Sequence, residues 1–404
     1  MRARYLVPTV LAVAAGIAVV PLAQGASASS SVTAGSVTPD QDPFYAAPAN
    51  LGSYQPGQIV ATRPSPISVS GVSATAAQIS YRSNDSHNAA ILAVTTIVVP
   101  NAAWSGKGAR PVVSMQEPED SVGLKCSPSY AYASGAGEPL DSLAALLGKG
   151  WAVAIPDFEG PKSVFLAGPE AGHAILDGIR AVKQFNSMGI GAGNPWAITG
   201  YSGGAEATGW AAQLQPSYAP DVKLLGTAVG GLPADPTAVA RSIDGGIFSG
   251  FEYAVAYSLA VEFPESGITG LLNARGQSDF ADASKGLCLT DILSKYAFRK
   301  LTDDVTVSDP LTVPSVAAVL KLDTLGANAP AASNPVYDYH AIPDEIVPLA
   351  QDDALVKTWC SKGAVIQTHR DLFAEHALEA VVQQTDMVNF LAARFAGSKP
   401  TNNC

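Results

Sequence analysis

Positive charge is scarce in this chain. Lys and Arg number 24 against 35 Asp and Glu, the formal net charge is -11, and the basic residues form no run. Nucleic acid is recognised through a basic stripe or patch that neutralises phosphates, so a nucleic-acid partner is not expected. Long apolar runs are missing beyond the first 28 residues, so no integral membrane span is expected once those residues are removed. Closely spaced cysteine pairs are missing too. Cys126, Cys288, Cys360 and Cys404 lack the spacing of a zinc site, and no motif calls for a metal or a cofactor. Histidines number only five, and no internal repeat punctuates the sequence.

What is present begins with an export signal over residues 1–28. Met1-Arg2-Ala3-Arg4 is a short basic start, Tyr5 to Leu22 is apolar, and Ala26-Ser27-Ala28 offers a small-residue cleavage site. A secreted, extracellular protein is expected. In an oxidising compartment four cysteines suggest two disulfides, with three pairings open. Residues 29–45 are rich in Ser, Thr and Ala and read as a flexible N-terminus.

From there strand and helix signals alternate, the pattern of an α/β protein with a doubly wound, mostly parallel sheet. Ala77 to Arg82 and Ala89 to Pro100 read as early strands, antiparallel across a polar turn. Arg110 to Met115, Trp151 to Ile155, Trp196 to Thr199 and Lys223 to Val229 are apolar with little alternation, as suits strands covered on both faces. Helices are expected at Leu140 to Leu147, Ala171 to Phe185 and Ala205 to Leu214. The rhythm then changes. Between about Pro233 and Pro330 the signals are mainly helical: Phe251 to Glu262, Cys288 to Phe298 and Val313 to Leu320. This stretch reads as an inserted cap, with Phe248, Phe251, Tyr253, Tyr257 and Phe263 available to line a pocket. Strand signals return at Pro335 to His340 and Ala364 to His369, separated by a helix from Leu355 to Cys360, and a last helix runs from Ala377 to Phe395. The expected organisation is therefore a core in two parts, 46–232 and 331–404, around an insertion at 233–330.

Gly200-Tyr201-Ser202-Gly203-Gly204 is the only Gly-x-Ser-x-Gly in the chain, and it falls between a strand signal and a helix signal. That context is what a nucleophile elbow needs. A sharp strand-to-helix turn strains the serine, the flanking glycines avoid a crowded backbone, and the amide of Gly203 can bond a developing oxyanion. Serine at its free pKa is a weak nucleophile, so a base and an orienting acid must accompany it. In the α/β-hydrolase arrangement they follow in the order acid, then histidine. His87 and His173 precede the serine, and His340 precedes the leading acid. His369 lies inside the last strand signal, whereas His376 lies beyond it, on a loop before the last helix, where catalytic groups of open α/β sheets sit. His376 is the expected base. Asp344 follows the strand ending at His340 and is the expected acid. Glu345 is its adjacent rival, and Asp352 and Asp353 are alternatives that could instead cap the next helix. The loop Gln116 to Ser121 occupies the place of a second oxyanion donor, but its residue types alone leave its role open.

With these residues in place the chain resembles the secretory lipase family, the lipase-A-like α/β-hydrolases of fungi and actinobacteria. The likeness rests on Glu119-Asp120-Ser121 followed by Cys126-Ser127-Pro128-Ser129-Tyr130, on Pro156-Asp157-Phe158-Glu159-Gly160, on the Ser202 pentapeptide, and on His340 to Pro348. The resemblance implies Ser202, Asp344 and His376 as the reacting set and Asp120 with Gly203 as the oxyanion hole. It also implies bridges Cys126 to Cys288 and Cys360 to Cys404. The activity implied is hydrolysis of carboxylic esters, including triacylglycerols, beneath a helical cap, with contact to a lipid interface and a role in lipid breakdown. A short-chain carboxylesterase and an extracellular acyltransferase are the alternatives.

Overall fold

The structure is a computed structural model that describes residues 28, 29, 32–137, 140–327 and 330–404. The expected leader lies outside the described residues apart from Ala28. Ten strands form one sheet: β1 (Ala28–Ser29), β2 (Ile59–Ser65), β3 (Ala74–Asn84), β4 (Ala90–Pro100), β5 (Val112–Gln116), β6 (Ala152–Pro156), β7 (Trp196–Tyr201), β8 (Leu224–Gly230), β9 (Val336–Ala341) and β10 (Ile366–Asp371). Their spatial order is β1-β2-β3-β4-β6-β5-β7-β8-β9-β10. β2, β3 and β4 pair antiparallel, as does β4 with β6. From β6 through β5 to β10 every pairing is parallel.

The helices are α1 (Pro128–Ser134), α2 (Asp141–Gly148), α3 (Gly168–Phe185), α4 (Gly203–Tyr218), α5 (Pro236–Ile243), α6 (Gly250–Glu262), α7 (Ile268–Leu271), α8 (Ala274–Ala283), α9 (Leu289–Tyr296), α10 (Pro314–Leu322), α11 (Leu349–Ser361), α12 (His376–Val382) and α13 (Gln384–Phe395). The parallel strands are apolar because both faces are covered. Successive side chains on a strand point to opposite faces, and the core divides accordingly. Val112, Ala152 and Ile198 join Ile175, Ile179 and Trp210 of α3 and α4 on one face. Val113, Val153 and Ala197 join Leu143, Leu146 and Leu391 of α2 and α13 on the other.

Several boundaries differ from the sequence reading. β2 gave no recognised signal: its half-buried sequence includes Arg63 and Pro64, which disguise a strand. The stretch read as a flexible arm is anchored at its end, where Phe44 and Tyr45 are buried and Asp42 pairs with a buried Arg63. The last strand extends to Asp371, and the last helix divides into α12 and α13.

Six helices, α5 to α10, lie between β8 and β9. They dock on the loop that follows β6. Phe165 and Leu166 pack with Tyr253, Ile292 and Tyr296, and Val164 and Ala167 pack with Leu259, Phe263 and Val319. The Cys126–Cys288 disulfide ties the segment before α1 to the start of α9, and Cys360–Cys404 fastens the C-terminal residue to α11. Among the described residues no helix is long and apolar enough to cross a membrane.

Candidate active site

Four loops at the C-terminal ends of parallel strands meet over the sheet, the usual place for a site in an open α/β fold. Ser202 stands between β7 and α4 with φ 54° and ψ -126°, a conformation that L-residues rarely adopt. Such strain costs of the order of 1–3 kcal/mol and persists only where the surroundings enforce it. Here a Cβ on Gly200 would strike the Gly204 carbonyl, and one on Gly204 would strike the Gln116 carbonyl. The packing of β7 against α4 and β5 therefore leaves room only for glycine and forces the turn that presents Ser202. Its amide donates to the Gly230 carbonyl at 2.9 Å, which fixes the turn to β8.

His376, the first residue of α12, reaches this serine. Its Nε2 is 2.9 Å from Ser202 Oγ, and its Nδ1 is 2.7 Å from Asp344 Oδ2. With Nδ1–H donating to the carboxylate, Nε2 is left to accept the serine proton. Asp344 Oδ1 accepts from the amides of Ile346 at 3.0 Å and Val347 at 2.7 Å, so the carboxylate is held from both sides. Burial favours its neutral form, but hydrogen bonds from His340 and His376 outweigh burial and hold it well below the usual carboxylate range. Glu345 accepts from the His376 amide at 3.1 Å, and Glu375 caps α12 by accepting from the amides of Ala377 and Leu378. The histidine thus sits on a helix start fixed by two carboxylates.

Asp120 follows β5 with φ 44° and is buried. Its Oδ1 lies against Gly203 so closely that a side chain there would collide with it. Burial pushes its carboxyl up to about 7, against the pull of a charged His376. The loop is fixed from beneath by buried carboxylates. Glu159 accepts from the Ser121 amide at 3.2 Å and hydroxyl at 3.0 Å, and Glu119 accepts from the Phe158 amide at 3.0 Å. Asp157 accepts from the Ser129 amide at 2.9 Å. The acidic motifs after β5 and β6 therefore hold each other and set the position of Asp120.

From Ser202, Gly203 and Asp120 an apolar cleft extends among α5, α6, α7 and α10. Phe165, Val239, Phe251, Val255, Leu259 and Val316 are among its lining. Of the five aromatics offered by the sequence, Phe251 and Tyr253 line this cleft. Phe248 packs by Val239 and Ile243, Tyr257 stacks edge-on with Phe280, and Phe263 is buried beside Leu259.

The structure brings Ser202, His376, Asp344, Asp120 and Gly203 together; of the alternatives, Glu345 meets only the backbone amide of His376, and the others lie away from the serine. His369 Nε2 accepts from Gln383 at 2.9 Å on β10. Asp353 pairs with Arg370 at 2.8 Å, and Asp352 faces Arg370 and His340. Two contributions escaped the sequence reading. Tyr201 donates its hydroxyl to the His376 carbonyl, and His340 lies directly behind Asp344. Both residues stand inside motifs already singled out, Tyr201 in the elbow and His340 four residues before Asp344.

A family model described as Secretory lipase matches residues 134–403. Lipase A of Moesziomyces aphidis is 34% identical over 387 residues, covering 91% of this chain and 82% of the relative. Lipase 6 of Candida albicans is 35% identical over 400 residues, covering 91% and 83%. The X-ray structure of Candida antarctica lipase A in its closed state superposes with a TM-score of 0.85 at 32% identity, covering 92% of this chain and 89% of that one. With an elbow serine at the mouth of an apolar cleft, and with these likenesses over nearly its full length, the chain belongs to the secretory lipase family and is an ester hydrolase of α/β-hydrolase fold.

Proposed function

We propose that the protein is a secreted serine lipase that hydrolyses acylglycerol esters through a Ser202, His376, Asp344 triad and an acyl-enzyme. The observation that carries this reading is the serine 2.9 Å from a histidine that is itself 2.7 Å from a buried aspartate, beside an apolar cleft. His376 Nε2 takes the hydroxyl proton as Ser202 Oγ attacks the ester carbonyl. The oxyanion forms beside the Gly203 amide and Asp120. Collapse of this intermediate expels the alkoxide, which takes the proton from His376 and leaves as the alcohol. Water, deprotonated by the same histidine, attacks the acyl-serine, and the carboxylic acid departs with the serine restored. Asp344 holds the ring tautomer throughout and compensates the imidazolium.

Lipid as substrate is supported by the apolar cleft and by the surface around the histidine. Ile342, Leu372, Phe373, Leu378, Val381 and Val382 are large, apolar and exposed, and five of them fall within seven residues of His376. Grouped exposed apolar side chains beside a site suit contact with a lipid interface. Export is supported by the N-terminal signal and the two disulfides, which persist in oxidising compartments. A fluorophosphonate probe should label the wild type and leave Ser202→Ala unlabelled, with turnover falling by about 10⁶. Labelling that survives Ser202→Ala sinks the reading. Rates on soluble esters and on emulsified triacylglycerol separate a lipase from a short-chain carboxylesterase. Products formed with a competing alcohol identify an acyltransferase.

A further inference from the structure

His340, the fifth residue of β9, is completely buried behind Asp344. Its Nε2 is 2.9 Å from the Val347 carbonyl oxygen and 3.3 Å from Asp344 Oδ2, and its Nδ1 is 3.3 Å from Asp352 Oδ2. All three are acceptors. A neutral imidazole carries one N–H and one lone pair, so one of its nitrogens would turn a lone pair onto an oxygen in a buried site. The imidazolium has an N–H for each side.

Around His340, Asp338 on β9, Asp352 on α11, Glu379 on α12 and Asp344 on the intervening loop supply negative charge, while Arg370 on β10 and His376 beyond Asp344 are the basic groups. Around His376 the further charged groups are Asp120 after β5, Glu345 beside Asp344 and Glu375 at the start of α12. Arg370 is 3.1 Å from both Asp338 and Asp352, so part of that negative charge is already paired. Asp344 remains, and its Oδ2 is shared by His340 and His376. Burial alone would disfavour a charged His340 ring, but the Asp344 and Asp352 carboxylates beside it push it up to about 10.

We propose that His340 is a positioning residue held as an imidazolium, which shares the Asp344 carboxylate with His376 and so keeps His376 a neutral base to lower pH. The inference rests on the triad reading. A carboxylate beside a histidine favours the protonated ring, which cannot accept the serine proton, and a second cation on the same carboxylate oxygen opposes that protonation. The arrangement suits an enzyme whose product is a carboxylic acid that acidifies its surroundings.

The test is the pH dependence of kcat/KM on a soluble short-chain ester in wild type and His340→Gln. The acid limb should move upward by about one pH unit in the variant, because no nearby like charge then opposes protonation of the base. Loss of packing alone lowers activity at every pH without moving the limb, and a limb that stays in place in a folded His340→Gln overturns the proposal. A second measurement needs no altered chain at that position. In long-range ¹H–¹⁵N spectra of the wild type above neutral pH, with the other four histidines assigned by single substitution, the remaining ring should carry protons on both nitrogens. A neutral tautomer there overturns the proposal as well. Fluorophosphonate labelling of Ser202→Ala in parallel keeps the two ideas apart. Labelling that persists removes the triad reading itself, whereas labelling that is lost beside an unmoved limb removes only the role of His340.

Discussion

The two ends of the site are built by opposite rules. At the histidine end, Asp338, His340, Asp344, Asp352 and Arg370 bury charge, and each charged group has an opposite one at 3.1–3.3 Å. At the acyl end, within α5 to α10, the lining is almost wholly apolar side chains from several short helices. Charge buried in a low dielectric is worth stabilising only when its partners are at hydrogen-bond distance, so the first end tolerates little displacement. An apolar wall requires volume and shape, and many residue combinations supply both. On the proposed reading, chemistry is thus fixed at one end and substrate range at the other.

The sharpest break of this contrast is at the acid. Asp344→Asn keeps shape but removes the charge and favours the wrong tautomer of His376, and kcat should fall by about 10⁴. The protein should remain folded, with its acyl cleft able to bind a non-reactive long-chain analogue. Single-turnover rates with a chromogenic ester, alongside binding of that analogue, check both halves. Equal loss of binding and turnover contradicts the separation of the two ends.

A smaller effect is expected at Asp120, where the two ends meet. Its carboxyl, pushed up to about 7, holds its proton on the acid side of neutrality and can then donate to the oxyanion. Asp120→Ala should therefore lower kcat by about 10²–10³ below pH 7 and by less above it, where the wild type has itself lost the proton. Asp120→Asn keeps a donor at every pH, and asparagine accepts the φ of 44° better than most residues. Its rate should lack the wild type's decline through neutrality. Profiles of kcat against pH for the three proteins decide the matter, and parallel profiles would exclude the side chain from the oxyanion site.

The same contrast explains what could be read from the sequence. That Ser202, Asp344 and His376 meet is legible because the proposed roles each ask for one residue type at a strand end, and because the elbow requires glycine at 200 and 204. The parallel strands were legible because burial on both faces makes them continuous apolar runs. Arg63 and Pro64 hid β2, whose half-buried position asks for no such run. His340 was passed over because chain order speaks only to the residue that meets the serine, not to one that meets the acid from behind. The lining of the cleft could be read from sequence only in part, since two of the five aromatics offered for it are there. Phe251 and Tyr257 differ by six residues on one helix, yet Phe251 lines the cleft and Tyr257 does not, packing edge-on against Phe280 instead.

The smallest change in chemistry, and the most selective one, is expected from filling the acyl end. Ala256 lines the cleft from α6, between Val255 and the turn that carries Leu259. Phenylalanine at this position adds a ring to the cavity while leaving Ser202, His376 and Asp344 unaltered in chemistry, and phenylalanine is tolerated within a helix. One methylene in an apolar pocket is worth about 1–3 kcal/mol, or roughly 10–200-fold in kcat/KM, so long-chain esters should lose about that factor while acetate and butyrate esters keep their rates. The acid limb of the pH profile should stay where it is, because no charged group has moved. A chain-length series measured at two pH values reads both quantities from one set of assays. If Ala256→Phe slows short and long esters alike, the cleft among α5 to α10 does not hold the acyl chain, and the chain must instead lie toward Leu372 and Phe373 on the exposed side of His376.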